Sequence, residues 1–129
     1  MNKKPGTNSG FERVQRLTIH IKQADQVDDH PLYLRMLELV RDSGTAGATV
    51  LKGVAGYSVS SHLSESAGPA DPQQDTPLLV VIVDRAAQLQ DLIPQLTSWV
   101  QVNGGMMTLE DLQGYHFLHP SKAKSSGHA

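Results

Sequence analysis

The chain has 129 residues, 39% of them hydrophobic, no cysteine and a formal net charge of -2, a size that suits one domain with one modest core. Lack of cysteine excludes disulfides, thiol catalysis and cysteine-held metals, and a near-neutral balance without a basic stripe argues against a dedicated nucleic-acid binder. No apolar run reaches the length of a membrane span and the first residues lack the apolar centre of a signal peptide, so the expected compartment is the cytoplasm.

Residues 1–12 and 120–129 are polar, with little to bury, and are expected to be disordered tails around a domain over residues 13–119. Leu17, Ile19 and Ile21 alternate with Arg16, Thr18, His20 and Lys22, and this period of two predicts a half-buried strand. Residues 25–29 read as an acidic connection. His30-Pro31 then reads as the entry to a helix whose stripe, Leu32, Met36, Leu39 and Val40, ends at Gly44.

A short second strand is predicted over residues 48–51, set among Gly44, Gly47, Gly53 and Gly56. Glycines at that density serve turns or let backbone approach a ligand. Residues 58–76 hold five serines, three acids, two prolines and two aliphatic residues larger than alanine, which predicts a long mobile loop. Pro77 leads into the unbroken run Leu78-Leu79-Val80-Val81-Ile82-Val83, a strand that calls for cover on both faces. Asp84 is expected to N-cap a second helix with Leu89, Leu92, Ile93, Leu96, Trp99 and Val100 inward, bent or broken at Pro94. Asn103-Gly104-Gly105 reads as a tight turn, and residues 106–117 as a last strand interrupted near 110–114.

The order β-α-β, loop, β-α-β predicts an α+β, ferredoxin-like βαββαβ domain: a four-stranded antiparallel sheet with two helices on one face. The second face then lacks helical cover although the third strand is apolar throughout. Another subunit is the natural cover, so an oligomer is expected.

Chemistry is sparse. Thr49 and Val81 are candidates to bracket a base, and the N–H groups of the glycine turn to cradle an anion. Lys52, at a strand end, suits a phosphate or a partner's carboxylate and equally a solvated position. Tyr57, at the loop base, suits stacking on a base or packing with its hydroxyl in water. Among six histidines, His116 and His119 stand three apart, which places them on opposite faces of a regular strand, and no metal site is assigned. His20 suits either a pH-sensitive subunit interface or a hydrogen bond to a neighbouring chain. Asp84, Glu110 and Asp111 fit cap and turn roles, and no serine belongs to a recognisable catalytic motif. The expectation is a binding module, not an enzyme.

The ordered set A-G-A-T-V-L-K-G-V-A-G-Y, then P-L-L-V-V-I-V-D, a proline-bearing helix and G-G-M-M-T-L-E-D resembles the PII-like proteins, a domain-of-unknown-function family related to the PII nitrogen-regulatory signal proteins. The resemblance spans residues 16–117, and His30-Pro31-Leu32-Tyr33 fits the family's helix entry. It implies a homotrimer with an adenine nucleotide in the clefts between subunits, as an effector and not a required cofactor. It also implies that the 58–76 loop addresses a partner such as a membrane transporter or channel. Matched by segment, Gly47 and Thr49 fall on the strand before the loop, Gly56 and Tyr57 at its base, and Asn103, Gly104 and Gly105 on the glycine turn. PII proteins carry a lysine after that turn and arginines on the last strand. Here stand Met106, and Tyr115, His116 and His119, so the resemblance implies AMP, ADP or cyclic AMP in preference to ATP. The modified loop tyrosine of PII proteins has no secure counterpart. The alternative is a trimeric metal-binding or structural protein like the CutA family, which shares the fold.

Overall fold

The structure, a computed structural model, describes residues 10–56 and 76–115. Tyr57, His116, His119 and the bulk of the 58–76 loop lie outside these residues.

Alternation along the first strand, β1 (Glu12–Lys22), buries Leu17, Ile19 and Ile21. The segment after it is not a plain connection. Two short strands, β2 (Gln26–Val27) and β3 (His30–Pro31), pair as a hairpin with Asp28 and Asp29 as its two-residue turn. Both aspartates take positive φ, 52° and 63°, the geometry that matches a hairpin's twist. Aspartate tolerates this left-handed region better than most residues. His30 therefore closes a hairpin, and Pro31 is the N-cap of helix α1 (Leu32–Asp42).

Helix α1 turns Leu32, Met36 and Val40 inward at a spacing of four. At its end Gly44 takes φ 82°, the N–H of Gly44 donates to the Arg41 carbonyl, and that of Thr45 to the Val40 carbonyl. This paired arrangement satisfies carbonyls that the helix leaves open and needs a residue free to adopt positive φ. Strand β4 (Ala48–Lys52) follows, then β5 (Pro77–Asp84), helix α2 (Ala86–Asn103) and β6 (Met106–Gly114).

Three expectations are corrected here. Asp84 does not cap α2: the N-cap is Arg85 without a side-chain cap, and the Asp84 carboxylate accepts the N–H groups of Arg85 and Ala46 at 2.7 and 2.9 Å. It ties the segment before β4 to the end of β5. Strand β6 runs unbroken through residues 110–114, held by its antiparallel register with β1 from Met106 opposite His20 to Gly114 opposite Glu12. Helix α2 likewise continues through Pro94, whose exposed side leaves the inward stripe Leu89, Leu92, Leu96 and Val100 intact.

The sheet order is β4-β5-β1-β6 with every neighbouring pair antiparallel, the order of a ferredoxin-like βαββαβ fold. Leu78, Val80 and Ile82 of β5 join the β1 residues and both helix stripes in one core. Each such aliphatic side chain contributes roughly 1.5–3 kcal/mol by its burial. Among the described residues no helix lies on the opposite face. Leu79 and Val81 are half-buried there, and Leu51, Val83 and Met106 are 51%, 38% and 53% exposed.

Candidate functional site

Antiparallel pairing brings four strand termini to one end of the sheet: the last residues of β1 and β4, Lys22 and Lys52, and the first of β5 and β6, Pro77 and Met106. Three connecting segments therefore meet there: the base of the 58–76 loop, the turn after α2, and the β2–β3 hairpin.

Pro77 organises the loop base. Gly53 donates its N–H to the Pro77 carbonyl at 2.7 Å. A Cβ on Gly53 would lie 2.6 Å from Pro77 Cγ, and one on Gly56 3.3 Å from the same atom. Both glycines let the chain wrap closely around the proline ring, a packing reason for Gly53 and for Gly56, the one of the two expected to contact a ligand.

The glycine turn is shaped by close backbone approach. Gly104 takes φ 82° and its N–H donates to the Val100 carbonyl at 2.8 Å. A Cβ on Gly105 would stand 2.6 Å from the His20 carbonyl oxygen and 3.1 Å from Val100 Cγ1. Asn103 faces the hairpin: its Nδ2 donates to the carbonyls of Gln26 and Trp99 at 2.9 and 3.2 Å, and its Oδ1 accepts the Gln26 N–H at 3.2 Å. Its side chain thus positions the turn, and what the turn presents to a ligand is chiefly backbone.

Between loop base and glycine turn lies a feature that sequence reading passed over. Asp25, 6% exposed, accepts the Lys22 N–H at 2.9 Å through Oδ2 and the Lys22 ammonium at 3.2 Å through Oδ1. Its backbone carbonyl accepts the N–H of Leu32 at 2.8 Å, fixing the start of α1, while Gln23 donates its N–H to the Thr76 carbonyl at 2.9 Å. One short turn thus holds the helix, the glycine turn through Gln26 and the loop end through Gln23. The available signal was a lysine and an aspartate three apart at a strand end.

Thr49 and Val81 are direct cross-strand partners, Thr49 exposed and Val81 half-buried on the uncovered face. Lys52 is exposed at the end of β4, paired in register with Leu78. Gly47 precedes β4 at the far end of the sheet, beside the Asp84 anchor, with nothing within 4 Å of a Cβ placed on it. The β4 candidates and the glycine turn also occupy opposite edges of the sheet, with β5 and β1 between them. Three inter-strand steps separate those edges by about 14 Å.

Among solved structures, the fold is similar to that of CPII, a nitrogen regulatory PII-like protein from Thiomonas intermedia K12, in its form bound to ADP, AMP and bicarbonate. The TM-score is 0.61 at 14% identity over 82% of this chain and 92% of that one. A PII-like signalling protein of Thermus thermophilus, TTHA0516, matches with a TM-score of 0.57 at 11% identity, over 81% of this chain and 92% of its own. By sequence the chain is 24% identical over 104 residues to the UPF0166 protein MJ1524 of Methanocaldococcus jannaschii, covering 77% of this chain and 89% of that protein. A UPF0166 protein of Aquifex aeolicus is 24% identical over 97 residues, covering 75% and 89%. The fold is PII-like, and since the model of the DUF190 family (Uncharacterized ACR, COG1993) matches residues 14–114, the chain belongs to that family.

Proposed function

We propose that the chain is a PII-like signalling module of the cytoplasm. An adenine nucleotide, AMP, ADP or cyclic AMP in preference to ATP, occupies clefts between the subunits of a homotrimer. The 58–76 loop then engages or releases a partner, a membrane transporter or channel. Gly47, Thr49, Lys52, Gly56, Tyr57, Val81 and the 103–105 turn are the proposed ligand contacts.

The observation that carries this reading is that the loop base and the glycine turn lie at the same end of a sheet whose other face has no helix among the described residues. Two features support it. Thr49 lies on one sheet edge and the glycine turn near the other, so a cleft walled by two subunits joins such groups more readily than a single chain does. CPII, which shares the fold, binds ADP and AMP. A ligand regulates the loop to the extent that it binds two loop states with different affinity, and the Gly53–Pro77 hydrogen bond is a contact through which those states communicate with the sheet.

Calorimetric titration with AMP, ADP, ATP and cyclic AMP, each with and without magnesium, tests the reading. Heat with AMP or ADP at one site per chain is expected. No heat from any of them, with tight zinc or copper binding in its place, would favour the CutA-like alternative.

A further inference from the structure

The phosphate end of a nucleotide needs donors and positive charge, and the glycine turn offers less of both than its sequence suggests. The Gly104 N–H is taken by Val100, the Asn103 amide by Gln26 and Trp99, and Met106 follows the turn. Two lysines stand at this end of the sheet, Lys22 of β1 and Lys52 of β4, and Lys22 is on the strand next to β6 and the glycine turn. We infer that Lys22 receives the ligand's phosphate end, and that Asp25, by sharing that lysine's charge, sets how many phosphates the cleft accepts. The inference rests on the nucleotide reading above.

Placement is the first support. Lys22 is opposite Pro77 in the register with β5, and its other flank faces the glycine turn. Successive N–H groups of a strand point to opposite sides. Because the Gln23 N–H reaches Thr76 on the β5 side, the Lys22 N–H points past the start of β6, where Asp25 accepts it. Lys22 and Asp25 thus stand between the two segments that wall the proposed cleft.

Burial is the second. The Lys22 side chain is 17% exposed and that of Asp25 6%, so the lysine keeps more contact with solvent than its carboxylate partner. In such partly dry surroundings a charge acts more strongly than at the surface. Lys52, by comparison, is exposed on an edge strand. A lysine already paired with a carboxylate carries a reduced net charge, which matches a monophosphate or diphosphate better than a triphosphate.

The test compares the full-length wild type, Asp25→Asn and the double variant K22M/D25N by calorimetry with adenosine, AMP, ADP and ATP, with melting curves to confirm folding. The double variant removes both members of the pair, so it isolates the cation from the loss of fold that an unpaired Asp25 would bring. Relative to D25N it should lose about tenfold or more in ADP affinity, the effect of one charge-assisted contact, with adenosine unchanged. D25N alone should narrow the preference for AMP and ADP over ATP. ADP affinity in the double variant within about twofold of D25N would overturn the role of Lys22, and a D25N preference equal to that of wild type would overturn that of Asp25. Wild type that binds no nucleotide would sink the nucleotide reading itself, a result distinct from wild-type binding that survives the double variant.

Discussion

Gln26 and Asn103, 77 residues apart in the chain, hold each other through two hydrogen bonds: the Gln26 N–H donates to Asn103 Oδ1 at 3.2 Å and Asn103 Nδ2 donates to the Gln26 carbonyl at 2.9 Å. A side-chain amide here stands in for a strand partner and fastens the end of α2 to the β2–β3 hairpin. Asn103→Ala removes both bonds and the one to Trp99, and should destabilise the fold by about 1–3 kcal/mol. Urea denaturation reads this as a lower midpoint, and a midpoint equal to that of wild type would contradict a clamping role.

Gly105 and Gly47 should respond in opposite ways to alanine. At Gly105 the new Cβ meets the His20 backbone oxygen at 2.6 Å, a contact that neither a rotamer nor a flexible neighbour relieves, and the cost should exceed about 1 kcal/mol. At Gly47 the Cβ enters open space, so the fold should be unchanged or gain about 0.4–1 kcal/mol from a stiffer unfolded chain. Loss of nucleotide affinity in G47A with unchanged melting would then report a ligand near Gly47. The same loss in G105A would be confounded by misfolding.

The Asp28-Asp29 turn offers a stabilising change. Both residues hold positive φ without the freedom of glycine. Asp29→Gly should stabilise the hairpin by a fraction of a kcal/mol, up to about 1, as strain relief outweighs added unfolded-state entropy. Thermal melting that shows a lower midpoint would indicate that the carboxylate does more for the turn than its backbone strain costs.

On the uncovered sheet face, Leu51, Leu79, His20 and Met106 lie in one cross-strand row. Leu79→Glu places a charge in that row without touching the core side. If this face is where subunits meet, light scattering should give a trimer for wild type and a single chain for the variant, with helical content retained. A variant of wild-type size would place the interface elsewhere.

Much of the fold was legible because hydrophobic period and burial coincide: Leu17, Ile19 and Ile21 in β1, and Leu32, Met36 and Val40 in α1, are where their spacing puts them. Gly44 as a helix stop was readable for the same local reason. The β2–β3 hairpin was not, since its turn uses two aspartates where glycine or asparagine is the usual signal. Asp84 looked like a cap because its type and place suited one, yet its carboxylate reaches Ala46, 38 positions away in the chain. At the candidate site the glycines were visible as glycines, but not why they are there. Gly53 and Gly105 answer to Pro77 and the His20 carbonyl, long-range neighbours that spacing does not reveal. The Lys22–Asp25 pair was passed over because an i,i+3 pair outside a helix acquires meaning through the burial that tertiary structure imposes.

The most direct measurement is a crystal structure of the protein grown with ADP. Nucleotide density is expected between subunits, its base beside Thr49 and Val81 and its phosphates at Lys22, next to the Gly104–Gly105 turn. Density elsewhere on the molecule, or an ordered trimer with these surfaces bare at saturating ADP, would contradict the proposed site.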